Sequence, residues 1–237
     1  MRLDLTLSLR ENISRNKAAE LITSGAITVN GILRKKPSYT VCQTDAIVIK
    51  NGDRFVSRSA YKLSRFLDEI KIDINGLNCL DVGASAGGWT QVLLLEGAKN
   101  VTAIDAGTDQ LSPILRSDPR VQSKERTDIR FFKTETLFDL VVCDVSFISL
   151  EKIVAAIDNL AKDKIIALFK PQFEVGRAAQ RAKNGVVRDE KAIVKALEHF
   201  ENETKKLKWI LRSKAPSSLK GKAGNLEYLF YYEKPPK

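Results

Sequence analysis

Apolar residues recur along this chain in two different rhythms. Near the amino terminus they fall at helical spacing from Arg15 to Thr23, after a shorter helix that starts almost at Met1. Ser14 is placed to cap the longer helix and Gly25 to end it. Ala26-Ile27-Thr28-Val29, Asn30-Gly31 and Ile32-Leu33 then read as a hairpin, because an Asn-Gly pair tolerates the positive φ that a tight turn needs. Val41, Ala46, Val48 and Ile49 complete a few short strands, and Asn51-Gly52-Asp53 marks a turn. From Ser57 onward, strand-like runs alternate with amphipathic helices. Strands are expected near 78–83, 101–105, 139–145, 164–170, 209–214 and 226–232. Helices are expected near 58–70, 87–96, 109–116, 149–160 and 190–205. This alternation predicts an α/β domain on a largely parallel sheet covered on both faces, with ligands at the carboxyl ends of the strands. The chain thus divides into a small domain over 1–50, a linker over 51–56 and a large domain over 57–237.

Charge sharpens the reading of the small domain. The 237 residues carry a formal net charge of +10, which favours a polyanionic partner, nucleic acid or an anionic membrane surface. Arg10, Arg15, Lys17, Arg34, Lys35 and Lys36 bracket one helix and its hairpin, where they could neutralise phosphates or simply form a solvated face. The order of short helix, longer helix, Gly25-Ala-Ile-Thr-Val-Asn-Gly31, basic turn and strand resembles the S4 RNA-binding domain. That resemblance implies docking on structured RNA through shape and phosphate contacts. No apolar run approaches the length of a membrane span, and Arg2, Asp4 and Arg10 interrupt any signal-peptide core. The expectation is a cytoplasmic protein. Cys42, Cys79 and Cys143 read as small core residues, and with His199 alone a metal site is not expected.

Chemistry enters at Leu80-Asp81-Val82-Gly83-Ala84-Ser85-Ala86-Gly87-Gly88, where a strand runs into a glycine-rich turn and then a helix. The next strand ends in Asp105, an acid placed to take two ribose hydroxyls. The glycine spacing is neither the dinucleotide pattern nor a phosphate loop, and points toward S-adenosylmethionine. A plain tight strand-to-helix turn would read the same. Asp144 and Lys170 follow apolar strands, Glu227 opens or sits within another, and Lys62 lies on the helix before the glycine turn. Each alone suits a surface or capping role. Together, two lysines and two carboxylates suit a ribose 2′-hydroxyl, a weak nucleophile that must lose its proton during in-line attack. Cys143 precedes Asp144, but strand alternation turns it to the opposite face and away from a nucleophilic role.

Further motifs give the chain a family resemblance. Asp144-Val-Ser-Phe-Ile-Ser-Leu150, Lys170-Pro-Gln-Phe-Glu174, Asn184-Gly-Val-Val-Arg-Asp189, Glu125-Arg-Thr127 and Gly224-Asn-Leu-Glu227 resemble the TlyA family, S4-bearing relatives of the FtsJ-type ribose methyltransferases. The resemblance runs nearly end to end. It implies a class I, Rossmann-like methyltransferase domain that uses S-adenosylmethionine on cytidine ribose in ribosomal RNA. By motif it places a catalytic tetrad on Lys62, Asp144, Lys170 and Glu227. Cofactor contacts fall on Asp81, Gly83, Ala84, Ser85, Gly87, Gly88, Asp105, Thr127, Asp128 and Asp144, and Arg58 joins the basic residues expected to touch RNA. Asp128 stands where the family commonly has asparagine. The chain resembles the family's shorter form, associated with large-subunit RNA. Two other classes stay open at this stage: a non-catalytic ribosome-binding factor, and a membrane-active protein, since the family has carried a haemolysin label. An intact glycine turn and tetrad speak against the first. The absence of a spanning or strongly apolar amphipathic segment speaks against the second.

Overall fold

A computed structural model describes residues 1–11, 13–49 and 55–235. The chain forms two compact units, Met1–Arg54 and Phe55–Lys237. In the first, helices α1 (Leu3–Glu11) and α2 (Arg15–Ser24) pack against strands β1 (Ile27–Val29) and β3 (Ile47–Ile49), and β2 (Ile32–Leu33) is exposed beside β1. The strands form an antiparallel sheet in the order β2-β1-β3. Ser14 caps α2 by accepting from the Lys17 amide, and Gly25 ends it in a left-handed conformation. Asn30 and Gly31 both take positive φ, at 52° and 77°, as the hairpin signal requires. Leu3, Leu7, Ala18, Ile22, Ile27, Val29, Val41 and Ile47 make the core. Cys42, expected in a core, is exposed: it follows buried Val41 into a turn, where its amide donates to Asp45.

The second unit is a seven-stranded sheet in the order β6-β5-β4-β7-β8-β10-β9. Its elements are α3 (Ser59–Ile70), β4 (Asn78–Val82), α4 (Gly88–Leu95), β5 (Asn100–Ile104), α5 (Pro113–Arg116), β6 (Val121–Lys124) and β7 (Phe138–Cys143), then α6 (Val154–Leu160), β8 (Ala161–Phe169), α7 (Pro171–Glu174), α8 (Glu190–Lys206), β9 (Ile210–Pro216) and β10 (Tyr228–Glu233). Strands β4 to β8 run parallel, and β10 is antiparallel to both its neighbours. Alternate residues of each central strand feed separate cores on the two faces. Cys79, Val101, Leu140 and Ile166 meet α3 and α4 residues, whereas Leu80, Ile104, Val141 and Ile165 meet α6 and α8 residues. The order of strands reverses between β4 and β7, which opens a crevice at their carboxyl ends.

Four local expectations shift. Phe55 and Val56, assigned to the linker, belong to the core of the second unit, with Phe55 edge-on to Tyr61 at 4.9 Å between ring centroids. The helix expected at 109–116 begins only at Pro113, because Glu125 accepts from the amides of Asp109, Gln110 and Leu111 and holds them as a loop. The helix expected at 149–160 breaks at Ile153 into a 3₁₀ turn, Leu150–Lys152, and α6. Strand β6 was not expected at all. No helix among the described residues is long and apolar enough to cross a membrane.

Candidate active site

The crevice begins with a close approach of two strand ends. A Cβ on Gly83, at φ 81°, would lie 2.9 Å from the Asp144 carbonyl oxygen and 3.1 Å from Val145 Cα. Glycine is therefore needed for the turn after β4 to touch the turn after β7. Beside this contact opens a cleft of about 770 Å³, whose lining includes Gly83, Ser85, Asp105, Thr127, Asp128 and Asp144. Its size and walls suit a nucleoside-type ligand. Asp105, at the end of β5, accepts from the Ser85 amide at 2.8 Å and the Gly107 amide at 2.7 Å, so its carboxylate is held at the cleft wall. Asp128 is paired with Arg130, and hydrogen bonds from that guanidinium lower its pKa. Ile104 and Ile129 supply apolar wall, and the Asp105 carboxylate suits a ligand bearing hydroxyls.

Asp81, Ala84, Gly87 and Gly88, also expected at the cofactor, do not line this cleft. Their backbones build the turn, and their side-chain directions face inward. A Cβ on Gly88 would meet Ser57 Oγ at 2.1 Å, and one on Gly87 would meet Leu115 Cδ1 at 2.3 Å. These glycines let α4 pack closely on its neighbours. Asp81 is fully buried and accepts from Thr90 Oγ1 at 2.6 Å. Burial pushes its pKa up to about 7, opposed by the Thr90 hydrogen bond and reinforced by the Asp144 charge.

The four residues expected to act together form two ion pairs. Lys62 on α3 reaches Glu227 Oε2 at 2.5 Å, and Lys170 after β8 lies 2.6 Å from Asp144 Oδ1. Lys62 and Lys170 are each 8% exposed and Glu227 is 2% exposed, so each charge needs its partner. Burial raises the Asp144 pKa; the charges of Lys170 and Lys62 oppose the shift, and that of Glu227 adds to it. The two pairs therefore act on one another as a single cluster. Lys170 also donates to Ser146 Oγ at 3.0 Å. Cys143 stays in the core on the α8 side, and burial raises its thiol pKa, which leaves little thiolate for nucleophilic attack.

The FtsJ-like methyltransferase family matches residues 55–234, and the S4 domain matches residues 1–47. This chain belongs to the FtsJ-like methyltransferase family. A 23S rRNA (cytidine-2′-O)-methyltransferase TlyA from Campylobacter jejuni is 45% identical over 253 residues, covering 99% of this chain and 100% of that relative. A 16S/23S rRNA (cytidine-2′-O)-methyltransferase TlyA from Mycobacterium tuberculosis is 40% identical over 225 residues, covering 92% of this chain and 84% of its own length. A solved structure from Streptococcus thermophilus, carrying a provisional hemolysin designation, superposes with a TM-score of 0.76 at 34% identity, over 99% of this chain and 88% of its own.

Around the tetrad of this FtsJ-like chain lie residues that the sequence did not single out. Helix α7, directly after Lys170, ties the loop after β7 to the start of β10. Gln172 donates to Glu227 Oε1 at 3.0 Å, Phe173 packs on Phe147 at 5.2 Å, and Glu174 accepts from Ser149 Oγ at 2.6 Å and the Leu150 amide at 3.0 Å. Phe147 is 91% exposed at the cleft, with φ at 67°. The signal for these roles was their position inside the two segments that carry Asp144 and Lys170. Of the basic residues expected at RNA, Arg10, Arg15, Lys17, Lys35, Lys36 and Arg58 are all exposed, and half-buried Arg34 stacks over the Tyr39 ring at 4.3 Å. Arg10 donates to the Ile47 carbonyl, Arg15 pairs with Asp4, and Lys17 pairs with Glu20. Arg2, not expected, hydrogen-bonds Asp4 and, with Arg15, holds that buried carboxyl down at a pKa of about 2.

Proposed function

We propose that this enzyme transfers a methyl group from S-adenosylmethionine to the ribose 2′-hydroxyl of cytidine in ribosomal RNA, with large-subunit RNA as substrate. The observation that carries this reading is the Lys62–Glu227 and Lys170–Asp144 cluster beside the cleft after β4 and β5. Asp105, Asp128 and the Gly83 turn would hold the cofactor, which when bound supplies an electrophilic methyl group on a sulfonium. Lys170 Nζ would receive or steer the hydroxyl proton, and Asp144 would keep that nitrogen in place. Lys62 and Glu227 would complete the cluster and set its charge. The protein's contribution is chiefly alignment of oxygen, methyl carbon and sulfur. The S4 unit, with Lys35 and Lys36 exposed, would supply phosphate contacts to the RNA.

The names of the relatives support both the reaction and the RNA. The relative named for 23S RNA alone shares more identity, and over a longer span, than the one named for both subunits. The test is to incubate purified large and small subunits separately with the protein and labelled S-adenosylmethionine, then map ribose methylation. Label confined to cytidine ribose of the large subunit is expected. Equal labelling of both subunits would overturn the subunit preference, and label on bases or on neither subunit would overturn the reaction.

A further inference from the structure

Lys170 makes two contacts of different kind. Its attraction to Asp144 at 2.6 Å is chiefly electrostatic and varies slowly with direction. Its hydrogen bond to Ser146 Oγ at 3.0 Å depends steeply on angle. Ser146 lies two residues beyond Asp144 on the same loop, lines the cleft and is exposed. Hence it stands where cofactor, ribose and Lys170 would meet. A lysine nitrogen has three directions beyond Cε. One is held by Ser146, whereas Asp144 Oδ1 lies close but outside hydrogen-bond geometry, so the Ser146 contact fixes where the other two point, and one of these is left for a ligand hydroxyl.

We infer that Ser146 is a positioning residue that aims Lys170 Nζ at the ribose 2′-oxygen, an inference that rests on the methyl-transfer reading above. Asp144 supplies the charge that keeps the nitrogen in the site, and Ser146 supplies its direction. In the transfer the 2′-oxygen forms the new bond to the methyl carbon. The methyl–sulfur bond breaks with its electron pair left on sulfur. The hydroxyl proton passes to Lys170 Nζ when that nitrogen is the amine. When it is the ammonium, the same direction carries an N–H that steers the oxygen, and the proton leaves the methylated oxygen to solvent water. Either way, a nitrogen free to rotate spends less time in line.

Ser146→Ala and Ser146→Thr separate this role from a structural one. Both are measured at saturating large subunit and labelled S-adenosylmethionine, with cofactor affinity taken by calorimetry. Ser146→Ala is expected to lower kcat about 10- to 100-fold, the range for losing a hydrogen bond to a charged group, with KM and cofactor affinity unchanged. Ser146→Thr, which keeps the hydroxyl, is expected to restore most of kcat. Three results would each overturn the inference: wild-type kcat in Ser146→Ala, a loss confined to KM or cofactor affinity, or equal impairment of both variants. Wild-type protein that labels no ribose would instead refute the underlying reaction.

Discussion

At the scale of single residues, solvation decides which groups carry charge. The Asp81 carboxyl has a pKa near 7 in place of 3.8, chiefly through burial. An acid whose folded pKa is raised keeps its proton in the native state while the unfolded chain gives it up. Stability therefore falls as pH rises between about 4 and 7, and the full penalty is present above that window. Asp81→Asn keeps an oxygen for the Thr90 hydroxyl but cannot ionise. Its melting temperature relative to wild type is expected to rise from about pH 5 to about pH 8. A difference that stays flat across that range would refute a buried, titrating Asp81. Lys170 tests the catalytic reading more directly. Lys170→Ala is expected to lower methyl transfer on the order of 10²–10⁴-fold while cofactor affinity, read by calorimetry, stays unchanged. An undiminished rate would remove Lys170 from the mechanism.

At the scale of elements, the four-residue helix α7 has influence beyond its length, because Gln172 reaches the start of β10 while Phe173 and Glu174 both reach the loop after β7. Glu174 is largely buried, and burial raises its pKa against the opposing hydrogen bonds from Ser149 and Leu150. Glu174→Ala would free the loop after β7 and leave the Leu150 amide without its side-chain acceptor. A loss of about 1–3 kcal/mol in stability is expected by chemical denaturation, with reduced methyl transfer. Glu174→Gln, whose one carbonyl oxygen can accept from the Leu150 amide while its Nε2 donates to the Ser149 hydroxyl oxygen, should recover most of each. Equal behaviour of the two variants would show that the carboxylate charge, rather than its hydrogen bonds, matters there. The elements also show where periodicity is informative. Central strands β4, β7 and β8 are buried on both faces and were legible as apolar runs. Edge strand β6, Val121-Gln-Ser-Lys124, pairs only with β5 and alternates between half-buried and exposed, so it carried no apolar signal. The missing first turn of the 109–116 helix depended on Glu125, a long-range acceptor that local pattern does not reveal.

At the scale of the whole molecule, the proposed function gives RNA contacts to the first unit and the chemistry to the second. In the first, Arg10, Arg15 and Lys17 are exposed but each holds a partner in its own unit, while Lys35 and Lys36 are exposed on the turn after β2 and Arg34 lies over Tyr39. Replacing Arg34, Lys35 and Lys36 together with glutamine in the full chain is therefore expected to weaken RNA binding. The slope of log affinity against log salt should flatten by about two to three, from the loss of phosphate contacts. An unchanged slope would assign these residues to a solvated face. Cofactor affinity should not change, since the described residues that line the cleft proposed for the cofactor belong to the second unit.

The sequence by itself determined the two-unit plan, the parallel sheet, the glycine turn after β4 and the identity of Lys62, Asp144, Lys170 and Glu227. The first three are written in local pattern, as apolar period and turn chemistry, and Asp144 and Lys170 as polar residues at the ends of apolar runs, whereas the grouping of Lys62 and Glu227 with them came from the family resemblance. Only the tertiary structure decided how the four charges pair, Lys62 with Glu227 and Lys170 with Asp144, across 165 positions in the first case. It also decided that Gly87 and Gly88 serve helix packing, that Asp81 is a buried acid facing Thr90, and that Ser146 and Gln172 brace the tetrad. The physical reason is common to all of these. Pairing, burial and pKa are properties of what surrounds a side chain, and those surroundings come from strands and helices far away in the chain.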